Sequence, residues 1–105
     1  MAANLRIFAH RTSEKLCLKS MGDFDGISAH ELLNILKRYS NRTSRVFIHT
    51  SCLRNIHPFG LSVFHNHLDL LKGKSLEIVF TGENASQLAP EKPMLFDLII
   101  STKPQ

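Results

Sequence analysis

Residues 45–80 switch between two hydrophobic periods, and this switch restricts the fold more than any other feature of the chain. Residues 46–49 follow Arg45 as a nearly all-apolar run, the pattern of a central strand covered on both faces. In residues 61–72, Leu61, Phe64, Leu68 and Leu71 fall on one helical stripe. Residues 76–80 read as a further strand. A strand, a helix and a second strand in succession imply a right-handed crossover and parallel pairing.

The flanking sequence extends the alternation. Residues 5–9 are a short apolar run suited to an edge strand, and residues 15–21 alternate, with Leu16, Leu18 and Ser20 on one side. A polar turn between them predicts a hairpin. Gly22-Asp23-Phe24-Asp25-Gly26 breaks the second strand with residues suited to turning. Ser28-Ala29-His30-Glu31 forms a capping-box pattern, with Ile27 and Leu32 placed as a hydrophobic staple. Leu32, Ile35, Leu36 and Tyr39 then share one helix face, and the helix should end near Tyr39, before the polar residues 40–44. The second helix should end around Lys72-Gly73-Lys74. Asn84-Ala85-Ser86-Gln87 is a second capping-box pattern opening a short helical turn, which Pro90 and Pro93 stop. Residues 95–101 complete the series as a fifth strand. The expected order is β-β-α-β-α-β-(short α)-β, a single α/β domain over residues 1–105.

Composition narrows the class. A 105-residue chain with 43% hydrophobic residues holds one core without metal or disulfide staples. Cys17 and Cys52 share no metal-binding spacing and are expected to be reduced and buried. No window approaches the ~18 apolar residues of a membrane span, and the N-terminus lacks a signal-peptide run, so direct membrane insertion is not expected and the cytoplasm is the expected location. Thirteen Lys and Arg against nine Asp and Glu give a formal charge of +4. The densest basic cluster is Lys37, Arg38, Arg42 and Arg45, and its first two members complement a helix C-terminus. No linear stripe of basic and aromatic residues follows, so nucleic acid is not an expected partner.

Residues 49–60, His-Thr-Ser-Cys-Leu-Arg-Asn-Ile-His-Pro-Phe-Gly, occupy the strand–loop–helix position where α/β domains usually place function. This segment resembles the signature loop of the STAS domains, the family of bacterial anti-sigma-factor antagonists and of sulfate-transporter cytoplasmic domains. In that family the strand often ends in Asp, and Asp-Ser-Ser-Gly opens the helix, its second serine being the phosphorylation switch. Here His49 and His57 stand at the two aspartate positions, Pro58 and Phe59 at the two serines, and Gly60 is retained. Gly22-Asp23-Phe24-Asp25 is similar to the family's Gly-Glu-Leu-Asp turn, and Phe80-Thr81-Gly82 fits the turn after its fourth strand. The resemblance implies a STAS-like, mostly parallel mixed β-sheet of about five strands with helices packed against it. The family's C-terminal helix is lacking in this expectation, because the sequence finishes on a strand.

The resemblance also implies a non-enzymatic protein-interaction domain in bacterial signalling and transcription regulation. An anti-sigma factor or regulatory kinase would dock on Asp23, Asp25, His57, Pro58, Phe59, Gly60 and Ser62. Since Phe59 replaces the switch serine, no phosphorylation is expected at the family position. Phe59 either anchors a partner or folds back into the core. A strand-five edge would also allow a homodimer. Two other readings stand beside this one: a regulatory STAS subunit of a membrane transport system, and a small-ligand or metal sensor.

Little chemistry competes with binding. His65 and His67 are two apart, so on a helix they point about 200° away from each other. His49, Cys52 and His57 offer nitrogen and sulfur ligands suited to zinc if a loop draws them together, whereas the ordinary expectation is histidines capping carbonyls. Cys52 and His57 lack an accompanying oxyanion-hole motif, and the glycines lack a Walker lysine. No catalytic residue, metal or cofactor is expected.

Overall fold

The computed structural model describes residues 5–39, 44–71, 76–91, 94–95 and 98–103. Strand β1 (Leu5–Arg11) and strand β2 (Lys15–Phe24) form the expected antiparallel hairpin. Helix α1 (Gly26–Tyr39), strand β3 (Arg45–Ile56) and helix α2 (Pro58–His67) follow, α2 running into a 3-10 turn at Leu68–Leu71. Strand β4 (Glu77–Thr81), the short helix α3 (Ala85–Leu88), strand β5 (Met94–Leu95) and strand β6 (Leu98–Lys103) complete the order. The expected sites at 40–43, 72–74 and Pro93, including Arg42, lie outside the described residues.

The sheet order is β1-β2-β3-β4-β6-β5. The four strands β2, β3, β4 and β6 are mutually parallel, and the two outer strands are antiparallel, so the sheet is mixed and mostly parallel as expected. Each crossover advances one position in the same direction. Right-handed connections that all step the same way leave every crossover helix on one face.

Burial follows that rule. Leu16 and Leu18 of β2, Val46 and Ile48 of β3, Ile78 and Phe80 of β4 and Ile100 of β6 form one cluster with Leu32 and Leu36 of α1, Phe64 of α2, and Ala85 and Leu88 of α3. Phe64 is the keystone. Its ring stands edge-on to Phe24, with centroids 5.7 Å apart, and to Phe80, at 6.0 Å. It thereby joins α2 to strands on both sides of β3. The opposite face carries Lys19, His49 and Lys103, all exposed. The expectation that β3 is covered on both faces is therefore corrected: its apolar run is half-covered, with Phe47 only partly buried.

Four local expectations also change. First, β3 does not end at His49 but continues to Ile56, so most of the segment read as a loop is strand. Register shifts against β2 between Lys19 and Met21, and again between Gly22 and Phe24, insert extra β3 residues. These bulges break the two-residue period, which is why the stretch reads as a loop. Second, β2 likewise runs through the supposed turn to Phe24, and Gly22 takes φ 108° there. Third, α1 starts at Gly26 instead of after Ser28. Ile27 lies inside it and is 47% exposed while Leu32 is fully buried, so the staple does not form. Fourth, residues 95–101 are not one strand: Met94–Leu95 pairs antiparallel with Leu98–Lys103. Cys17 and Cys52 are free, but partly exposed instead of buried.

Removing the Phe64 ring should loosen α2 from β2 and β4 at once. Phe64→Ala is expected to cost about 3–5 kcal/mol, read as a large fall in the urea midpoint with an unchanged slope.

Candidate functional site

The site forms where β2 hands over to α1 beside the start of α2. Asp25 caps α1: its Oδ1 accepts the Ser28 amide at 2.9 Å, and its carbonyl accepts the Ala29 amide at 2.9 Å. The expected Ser28 capping box is replaced by this arrangement. Asp is as good an N-cap as Ser, and the Ser28 hydroxyl instead donates to the Asp23 carbonyl at 2.9 Å. Ser28 is thus a buried brace for the turn. The Ser28 backbone hydrogen bond, the largest influence on it, holds the Asp25 carboxyl below its ordinary pKa; the nearby His57 adds to this, and partial desolvation opposes it.

Helix α2 is pinned against this turn by its backbone. The His57 amide donates to the Phe24 carbonyl at 2.9 Å, and Pro58 follows at the first helical position, where its missing N–H costs nothing. His57 has extended geometry and makes no side-chain cap. Gly60 is buried flat against the turn. A Cβ there would lie 2.8 Å from both the Phe24 oxygen and the Asp25 carbonyl carbon. Both obstacles are backbone, so only glycine permits the approach.

This seating decides where Phe59 goes. One edge of the ring lies against Gly26, whose absent Cβ would sit 2.8 Å from it, and Phe59 remains 71% exposed. The alternative in which Phe59 folds into the core is thereby corrected. With Asp25, Gly26, Ile27, His30 and Val63, Phe59 lines a shallow recess of about 410 Å³. Ile27 and His30 are members that the sequence analysis missed. Placing the helix cap at Asp25 instead of Ser28 would have put Ile27 in the first turn and His30 three residues on, on the same helix face.

The other expected site residues distribute unevenly. His57, Pro58 and Ser62 are exposed on the same end of α2, and Gly60 serves as spacer. Asp23 is not among the recess residues. Its carboxylate accepts a hydrogen bond from Asn55 Nδ2 at 2.9 Å and lies 3.9 Å from Arg54, which fastens β2 to the end of β3. His49, Cys52 and His57 are strung along β3 and its exit, not gathered by a loop. The seven strand residues 50–56 separate the two histidines by up to about 26 Å. Among the described residues no group of three or more His, Cys, Asp or Glu could hold a metal. His49 Nδ1 instead sits 2.6 Å from Thr81 Oγ1. His65 Nε2 bonds the Leu88 carbonyl at 2.9 Å, and His67 Nδ1 the Val63 carbonyl at 2.8 Å.

Two substitutions test this geometry. Gly60→Ala should cost about 1–3 kcal/mol of stability by forcing backbone apart, measured by chemical denaturation. Asp25→Ala should cost about 1 kcal/mol as a lost cap. Because Asp25 titrates lower when folded, its charge stabilises the fold above the unfolded-state pKa, and this contribution disappears as pH falls through the lowered folded value. Asp25→Asn keeps a capping oxygen without that titration. The stability gap between wild type and Asp25→Asn should therefore shrink from neutral pH to about pH 3, and a constant gap would contradict the assignment.

Neither a protein-family profile nor a curated protein sequence matches the chain. Solved structures do. The anti-sigma factor antagonist SpoIIAA in its unphosphorylated form superposes with a TM-score of 0.57 at 9% identity, over 72% of each chain. An uncharacterized protein of the DUF3478 family from Shewanella loihica PV-4, described as having a SpoIIAA-like fold, gives 0.53 at 17% identity, over 79% of this chain and 72% of that one. At these identities the likeness speaks for architecture, and on it the chain has a SpoIIAA-like fold.

Proposed function

We propose that this chain is a non-enzymatic protein-interaction domain of bacterial cytoplasmic signalling, similar to an anti-sigma-factor antagonist and acting in transcription regulation. The observation that carries the reading is the presentation of Phe59. A large ring 71% exposed, set beside Ile27 at 47%, is an apolar anchor held rigidly by a glycine-seated helix start. Buried aromatic anchors supply a disproportionate share of interface energy. Asp25, His57 and His30 give the anchor a polar surround, as a docking patch requires. No helix among the described residues is long and apolar enough to cross a membrane. The partner in this reading is an anti-sigma factor or a related regulatory kinase.

Regulation differs from a serine-switched loop. Phe59 offers no hydroxyl, so a serine kinase has no substrate at that position, and the contact is constitutive unless another input moves α2. Asp23 contributes by holding the β2–β3 end in place and Gly60 by seating the helix, while Asp25, His57, Pro58, Phe59 and Ser62 meet the partner.

Phe59→Asp replaces the anchor with a charge at an exposed position. Affinity capture from host lysate should recover a kinase-like anti-sigma factor with the wild-type chain and lose it with Phe59→Asp, whose circular dichroism and melting curve stay unchanged. Recovery of the same partner by both forms removes this surface from the interface. Recovery of a transporter subunit instead moves the protein to the transport class.

A further inference from the structure

The sheet face opposite the helices is a second surface, and its side chains follow from the strand register. One row across five strands reads Phe8, Lys19, His49, Thr81 and Lys103. The next reads His10, Cys17, Phe47, Val79 and Ser101, and a third Lys15, Arg45, Glu77 and Ile99. Arg6 stands on the same face at the outer edge, opposite Met21. Five strands at the usual spacing make each complete row about 19 Å long.

Charge on this face is one-sided. The rows and Arg6 bring together five of the chain's Lys and Arg but a single acid, Glu77, which is already paired with Arg45 at 2.9 Å. The excess of four equals the formal charge of the whole chain. Rings are interspersed among these cations. Phe8 is 56% exposed beside Lys19, Lys15 Nζ sits 5.3 Å above the Phe47 ring, and the exposed His49 ring is held by Thr81. In the linear sequence these residues are scattered over four strands, so no basic–aromatic stripe is visible; the register assembles one.

We propose that this open sheet face binds single-stranded nucleic acid, with Phe8 stacking a base, His10 and His49 flanking it, and Arg6, Lys15, Lys19 and Lys103 meeting the phosphates. Stacking on an exposed ring within a cationic sheet is the chemistry by which sheet surfaces hold two or three unpaired bases. A docked protein would need an apolar centre inside a polar rim. Here Val79 is buried, Phe47 is partly so, and the exposed Phe8 and Ile99 stand on strands at opposite sides of the sheet, with lysines between them. A duplex, in turn, offers phosphates but no free base face to Phe8. The surface is independent of the Phe59 recess, which lies at the α1–α2 end.

The test is fluorescence anisotropy of the full chain with labelled 12-nucleotide oligouridine and oligothymidine at low salt, with a duplex of the same length and polyglutamate as competitors. Binding should weaken with salt. Phe8→Ala should reduce affinity about tenfold through lost stacking, and Lys19→Glu more; both should keep the wild-type melting curve because the positions are exposed. Phe59→Asp should leave it unchanged, which separates this surface from the protein-binding one. Absence of binding at low salt overturns the proposal. So does competition by duplex or polyglutamate as strong as by unlabelled oligonucleotide, the latter marking an acidic-protein surface. Affinity indifferent to Phe8→Ala overturns it as well.

Discussion

The placement of α2 against the β2–α1 turn depends on one backbone-to-backbone contact, at Gly60. The helix approaches so closely that a single methyl group would meet Phe24 and Asp25 main-chain atoms. From that contact follow the His57–Phe24 hydrogen bond, the position of Phe64 between Phe24 and Phe80, and the outward aim of Phe59. The core and the recess are therefore set by the same seating. A ring beginning one residue before a buried glycine has nowhere to go but across the neighbouring helix start, where Gly26 leaves room for it.

A second constraint is topological. Crossovers that are all right-handed and all advance in one direction put α1, α2 and α3 on one side and, among the described residues, no helix on the other. An open sheet face is tolerable only if its residues suit water, and lysines, arginines and histidines do so. The same arrangement divides the molecule into two surfaces of different chemistry. One is apolar, small and centred on Phe59; the other is broad, cationic and ringed. The helical side carries the folding energy, so substitutions on either exposed surface should leave the fold intact.

Sequence reasoning recovered the architecture because its signals are local and periodic. The helical stripes, Leu32 and Leu36 in α1 and Phe64, Leu68 and Leu71 in α2 and its 3-10 turn, the alternation of Leu16, Leu18 and Ser20, and the apolar run around Ile48 each survive in the structure. The resemblance of the 22–25 and 57–60 segments pointed to the fold that the structural matches support. Errors occurred where periodicity is broken by long-range pairing. The β3 bulges turn a twelve-residue strand into an apparent loop, and two adequate N-caps three residues apart, Asp25 and Ser28, could be ranked only by where the Ser28 hydroxyl goes. Ile27 and His30 joined the site for the same reason. The histidines gave no signal of their tertiary partners: Thr81, Leu88 and Val63 atoms that satisfy them are fixed only by packing.

The most direct test of the central claim, that Phe59 is held on the surface across Gly26, is an NMR measurement on the free protein. Nuclear Overhauser contacts should connect the Phe59 ring-edge protons to the Gly26 α-protons, with further contacts to Val63. Contacts from Phe59 to Leu32 or Phe64 in the core, with none to Gly26, would contradict the account and remove the anchor from the surface.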